Sequence, residues 1–201
     1  MRRSSMRSVV FLALMVFAFA NMAHAQDHKF SLGGGLNFNM IDAESDLPSG
    51  IDEEVSATIA LAGKLEFKIN EEWAFRTGLW LQEKSAKYSF DSLGFQGDVT
   101  AHTIYLSVPL TAQYQIQKDI SLFGGYIADI RINDYCKASG DVSSCTIDED
   151  SKSIVHVATA GIAIQARDFL VFELSYQRGL SDVYENELKI HSFQGMAFYK
   201  F

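Results

Sequence analysis

Apolar and polar residues alternate with a period of two along most of the chain. In TIYLSVPLTAQYQI, Ile104, Leu106, Val108, Leu110, Ala112, Tyr114 and Ile116 alternate with Tyr105, Ser107, Pro109, Thr111, Gln113 and Gln115. In ATIALAGKLEFKI, Ile59, Leu61, Gly63, Leu65, Phe67 and Ile69 alternate with Thr58, Ala60, Ala62, Lys64, Glu66 and Lys68. WAFRTGLWLQEK and FLVFELSYQRG repeat the pattern. Successive side chains of a strand point to opposite faces, so each stretch predicts a strand with one apolar and one polar face. Eight such segments fall at 29–40, 57–69, 73–84, 101–116, 120–132, 153–166, 169–179 and 190–201.

The connections between them alternate in length. IDAESDLPSGIDEEVS is long and NEE is short; SAKYSFDSLGFQGDVT is long and QKD is short; the segment holding both cysteines is long and Arg167-Asp168 is short. This rhythm matches outer-membrane barrels, with tight periplasmic turns and longer external loops. Periodicity alone does not tell inside from outside, and a soluble lipocalin-like barrel with its apolar face inward has the same period. Three features favour the membrane. The strands are about 10–13 residues long, enough to cross a bilayer at a tilt. Mid-strand apolar positions carry almost no charge. Phe67, Trp73, Tyr114, Tyr199 and Phe201 gather near the short turns and the C-terminus, as an interfacial aromatic girdle does. The expected fold is all-β, an eight-stranded antiparallel up-and-down transmembrane β-barrel. An open sheet edge is not tolerated in lipid, so the last strand must pair with the first.

The first 25 residues read differently. Arg2, Arg3 and Arg7 precede an apolar run from Val9 to Ala20, and Ala23-His24-Ala25 forms a small-residue cleavage site. That is the pattern of a secretory signal peptide, so 1–25 is expected to be cleaved and 26–201 to form the barrel domain, exported through the periplasm to the bacterial outer membrane. Its loss removes three arginines and no acid from 17 basic and 25 acidic residues, moving the net charge from −8 to −11. An acidic surface argues against nucleic acid as a partner. Cys136 and Cys145 stand nine residues apart. In an exported chain the pair reads as a disulfide, with two free thiols as the alternative, and two thiols without a neighbouring histidine do not make a metal site.

Several stretches resemble a known family. Phe193, Ala197, Tyr199 and Phe201 share the lipid-facing parity, and the terminal aromatic resembles the C-terminal insertion signal of bacterial outer-membrane proteins, with Tyr199 and Phe201 as its residues. IYLSVPLTAQYQI is similar to the strand of PorT-like proteins that carries Leu-x-x-Pro-Leu, and FELSYQRGLSDV to their Tyr-x-x-Gly-Leu-x-Asp segment. The whole mature chain resembles the small eight-stranded outer-membrane β-barrel family, with OmpX-, OmpA- and PorT-like members. The resemblance implies outer-membrane lipids and lipopolysaccharide as surroundings, the barrel-insertion machinery and periplasmic chaperones as partners in biogenesis, and a monomer. It specifies little about activity. Pro109 removes a ladder donor from a strand interior, so a bulge or an unpaired carbonyl is expected opposite it.

By parity the interior holds Lys64, Glu66, Lys68, Arg76, Lys84, Asp129, Arg131 and Glu173, with Trp80, Tyr105, Phe123 and Phe198. Eight strands enclose a space that side chains fill, and charges of both signs can pair there. A packed polar network is therefore expected, with a small gated pore lined by the same charges as the alternative. His102, His156 and His191 fall at the outer strand ends with lipid-facing parity and do not converge on a nucleophile, so no enzyme activity and no cofactor are expected. Acidic loops, including Asp42, Glu44, Asp46, Asp52, Glu53 and Glu54, lack calcium-loop spacing, and no metal site is assigned. The resulting expectation is a non-enzymatic barrel with a structural or surface-interaction role.

Overall fold

The computed structural model describes residues 28–43, 51–92, 95–140, 145, 153–181 and 188–201. The leader, Glu44 and Asp46 of the first loop, and Asp141, Asp148, Glu149 and Asp150 of the cysteine loop lie outside them. The strands are β1 (His28–Ala43), β2 (Ile51–Glu54), β3 (Ser56–Lys68), β4 (Trp73–Ser92), β5 (Phe95–Gln117), β6 (Ile120–Gly140), β7 (Ile154–Arg167), β8 (Leu170–Gly179) and β9 (Leu188–Lys200). All pairings are antiparallel. Strand β1 bonds both β3 and β9, and β4 bonds both β3 and β5, so every strand except β2 joins one closed ring in chain order. The closing seam runs from Ser31↔Lys200 to Ala43↔Leu188.

The ring turns its apolar face outward. Ile59, Leu61 and Leu174 are about 60% exposed, whereas Asn37, Gln177 and Asp129 on the opposite face are fully buried. That arrangement suits lipid outside and excludes the lipocalin-like alternative, which needs the apolar face within. Tight turns close one end, the one whose short connections match the periplasmic side of outer-membrane barrels. At 70–72 the Asn70 side chain accepts hydrogen bonds from the backbone of Glu72 at 2.9 Å and Trp73 at 2.7 Å, the local capture that makes Asn a turn residue. At 117–119 Gln115 donates to the carbonyl of Lys118 at 2.6 Å.

Two sequence expectations need correction. The stretch 85–100 is not a loop: β4 and β5 stay paired to Ser92↔Phe95, and β6 continues against β5 to Gly97↔Gly140. Residues 51–54, expected within a loop, form β2 against the outer part of β4. At Pro109 the second of the two expected outcomes holds, a lapse in pairing rather than a bulge. The β4–β5 ladder lapses between Thr77↔Leu110 and Trp80↔Ser107 and resumes in the same register, because only the donor is missing. The β5–β6 ladder is irregular at two other places: Ile132 of β6 is the extra residue between Tyr105↔Arg131 and Ile104↔Asn133, and Ile116 of β5 is the extra residue between Gln115↔Ser121 and Gln117↔Ile120.

Gly35 is required at the seam. A Cβ there would stand 1.9 Å from the carbonyl oxygen of Gly195, closer than any side chain allows.

Candidate functional site: a packed polar lumen and an extended sheet

The lumen holds two polar layers. In the lower one Glu173 of β8 receives Lys64 of β3 and Arg76 of β4. Arg76 Nη2 lies 2.7 and 2.6 Å from the two carboxylate oxygens, and Lys64 Nζ is hydrogen-bonded to Oε1. All three side chains are buried. Lys64 Nζ also sits 4.1 Å from the Phe198 ring centroid, and the Arg76 guanidinium 4.3 Å from that of Phe123. Such cation–π contacts help replace the water these cations have lost.

The upper layer centres on Asp129 of β6. Lys84 Nζ donates to it at 2.7 Å, and Gln82 Nε2 donates to it at 3.1 Å and to Ser107 at 2.7 Å. Gln194 of β9 donates to Asn37 at 2.8 Å and to Gln82 at 3.4 Å, and Ser192 donates to Asn39 at 2.7 Å. These bonds tie β1, β4, β6 and β9 across the barrel. Both buried carboxylates therefore meet cations and further donors, which is the condition for keeping charge out of water.

The residues expected inside do not form one cluster. Lys64, Arg76 and Glu173 come together, and Asp129 joins Lys84. Glu66 stands apart near the periplasmic mouth, 4.0 Å from Lys29. Arg131 sits above the upper layer and pairs with Asp134 at 3.0 Å. Lys68 is exposed at the strand end. Asn37, Asn39, Gln82 and Gln194 were not singled out in sequence, although Asn37 and Asn39 sit on the inward parity of β1.

The aromatics at the periplasmic end touch one another. Ring centroids are 4.9 Å apart for Trp73 and Tyr114, 6.1 Å for Phe67 and Phe75, and 5.0 Å for Tyr199 and Phe201. Phe201 N donates to Phe30 O at 3.0 Å, holding the C-terminus against β1. A tilted strand crosses the hydrocarbon in about 9–11 residues. Counted upward from Trp73 and Tyr114, the band ends near Glu83 and Ile104.

At and above that edge the outward face carries polar clusters. Glu83 accepts from Tyr135 OH at 2.5 Å and faces His102 Nδ1 at 2.6 Å, and the His102 and Tyr135 rings stack 4.5 Å apart. Above the membrane band, the Glu83 carboxylate pushes the Tyr135 phenol up to about 12. Lower on the outward face, His156 Nδ1 is bonded to Tyr126 OH, and His191 Nδ1 lies 2.8 Å from Tyr176 OH. The three imidazoles thus sit on separate strands, β5, β7 and β9, each with its own partners.

Higher still, β2, β4, β5 and β6 form a sheet outside the band. Lys87 bonds Glu54 and lies 3.5 Å from Asp98, while Ser89 reaches Glu54 at 2.5 Å and Asp98 at 3.0 Å. The Lys87 hydrogen bond holds the Glu54 carboxyl below its usual range, and Glu54 holds the Lys87 ammonium above its own. Cys136 of β6 is disulfide-bonded to Cys145, with Cα atoms 5.9 Å apart. Among the described residues no three histidine, cysteine or carboxylate side chains gather to hold a metal.

Several solved structures are similar at low identity. Ail of Yersinia pestis, in complex with the heparin analogue sucrose octasulfate, is 13% identical, with 88% of this chain and 100% of that chain covered at a TM-score of 0.48. Neisserial surface protein A is 12% identical, with coverage of 86% and 97% and a TM-score of 0.48. OprG from Pseudomonas aeruginosa is also 12% identical, with coverage of 87% and 96% and the same score. At such scores none of these informs the reading of function. No curated protein matches the chain. The family model described as "Outer membrane protein beta-barrel domain" matches residues 20–185. With its closed ring, apolar exterior and polar interior, the chain belongs to the outer membrane protein β-barrel domain family and is an integral barrel of the bacterial outer membrane.

Proposed function

We propose that the barrel is a non-enzymatic, non-conducting anchor that presents a surface-interaction sheet outside the cell. One observation carries this reading. The β6–β7 ladder stops at Ile130↔Ile154 and the β7–β8 ladder at Val157↔Gly179, whereas β4, β5 and β6 remain paired about ten residues further. At about 3.3 Å per residue such an extension adds roughly 30 Å of strand, tilt aside. Ordered structure of that length beyond the bilayer has no part in spanning it. The sheet is cross-braced by Glu54, Lys87, Ser89 and Asp98, and a disulfide sits at its β6 end. Residues 133–140 of β6 pair with β5 on one side only among the described residues. An exposed edge of this kind is where another chain can add a strand.

The remaining elements fit the same reading. Residues 1–25 serve as the cleaved signal peptide, Tyr199 and Phe201 as the insertion signal, and Phe67, Trp73 and Tyr114 as the interfacial girdle. The barrel acts as a monomer among outer-membrane lipids and lipopolysaccharide. The small-pore alternative is disfavoured because both polar layers are built from buried, mutually bonded side chains.

The test replaces 87–98 by a two-residue turn, leaving the membrane band intact, and compares cells displaying either form. Adhesion to protein- or polysaccharide-coated surfaces that falls with the shortened hairpin, together with no single-channel conductance, is the expected result. Unchanged adhesion, or conductance abolished by changing Arg76, would contradict the reading.

A further inference from the structure

The periplasmic mouth of the barrel contains a polar cavity of about 190 Å³. Lys29, Lys64, Lys118 and Lys200 line it, coming from β1, β3, the β5–β6 turn and β9. The chain as a whole is acidic, with a net charge of −8, so four ammonium groups around one space are a local reversal of its charge. Three carboxylates share the walls: Glu66, Asp119 and Glu173. Glu173 is already held by Lys64 and Arg76, and Glu66 lies 4.0 Å from Lys29. Lys200 donates to the amide oxygen of Gln165 at 2.8 Å, a neutral hydrogen-bond partner, and Glu66 and Glu173, which already serve other cations, act on it only through space. Gln113 and Gln115 add amide groups to the lining. Lys64 and Glu173 of the lower polar layer belong to the buried part of its wall.

We infer that this mouth is a binding site for a phosphate-class anion entering from the periplasm. Lys118 and Lys200 are its main charge contacts, and the glutamine amides orient the oxygens. Phosphate oxygens match such a site because ammonium groups serve them as point charges through charge-assisted hydrogen bonds. Lys29, Gln165 and Lys200 also border an adjoining hollow of about 300 Å³ with Asp168, Phe169 and Phe201. A phospholipid headgroup of the inner leaflet can approach by that side, whereas a soluble anion enters along the barrel axis. The inference rests on the membrane orientation adopted above.

The test uses the folded chain in zwitterionic detergent, where both ends are accessible, and titrates inorganic pyrophosphate calorimetrically. One-site saturable binding is expected, tighter than about 1 mM. The double variant Lys118→Gln/Lys200→Gln should weaken it at least tenfold, and Arg178→Gln, at the other end of the barrel, should leave it unchanged. No saturable heat, or a double variant that binds like the parent, overturns the inference. Repeating the titration with phosphatidylglycerol added distinguishes the two sources: competition supports a lipid headgroup as the occupant, and no competition a soluble anion. The heat-dependent gel shift of the same samples reports the barrel separately, so failure to bind is distinguishable from failure of the barrel reading.

Discussion

Glu173→Gln tests the internal architecture most severely. The carboxylate holds two cations in the lower layer, and its side chain and those of Lys64 and Arg76 are all 3–4% exposed. Glutamine keeps the shape and one acceptor oxygen but removes the charge. Breaking a buried ion pair by taking away one partner costs about 3–5 kcal/mol, because the other partner is left uncompensated. Here two cations are left on the adjacent strands β3 and β4, which places the expected loss in the upper part of that range. With a urea dependence of about 2 kcal/mol per molar, the unfolding midpoint in vesicles should fall by roughly 2 M. Adding Lys64→Met to Glu173→Gln removes one stranded charge and should recover part of the loss. Trp73 and Trp80 provide the fluorescence signal, one at the membrane edge and the other buried in the lumen. A midpoint within about 0.5 M of the parent, or no recovery in the double variant, would refute the claim that Glu173 neutralises this layer.

Three further outcomes follow from the same geometry. Leu110, outward-facing and 45% exposed, lies near the middle of the band, so Leu110→Arg should cost about 2–4 kcal/mol in lipid; urea titration in vesicles checks it, and a neutral effect would contradict the assigned face. Gly35→Ala should destabilise by about 1–3 kcal/mol through overpacking of the closing seam, seen as a lower melting temperature of the unboiled gel band. Tyr135 should ionise near pH 12 by ultraviolet difference spectroscopy against Tyr135→Phe. Its folded value lies above its ordinary one, so any stability it contributes is complete below about pH 10 and is lost as pH rises through 12. Glu83→Gln should return the titration toward the ordinary tyrosine value.

Much of the ring was legible because a lipid-facing barrel must alternate. Ile59, Leu61, Leu106 and Leu110 mark one face through spacing alone, and the inward placement of Lys64, Arg76, Asp129 and Glu173 follows from parity. The direction of the faces is not contained in a period of two; it appears only when the ring closes with Leu61 outside and Asp129 within. The external sheet was missed for a related reason. At 87–89 and 96–100 neither face is buried, so no apolar alternation is needed, and Ser, Asp and Gly there read as loop. Cross-strand contacts of Lys87 and Ser89 with Glu54 and Asp98 support the pairing instead. The pairing of interior charges was also hidden. Lys64 and Glu173 are 109 positions apart, and only the registers of the ring bring them together. Glu83, His102 and Tyr135 meet on the outer face for the same reason, through the paired registers of β4, β5 and β6.

The most direct measurement dilutes the urea-unfolded chain into lipid vesicles and, in parallel, into lipid-free buffer, then compares boiled and unboiled samples by gel electrophoresis. A barrel with its apolar face outward predicts a faster-migrating unboiled band only where lipid is present. The same compact band in plain buffer would contradict it, since Leu61, Leu110 and Leu174 would then need a core to bury them rather than a membrane.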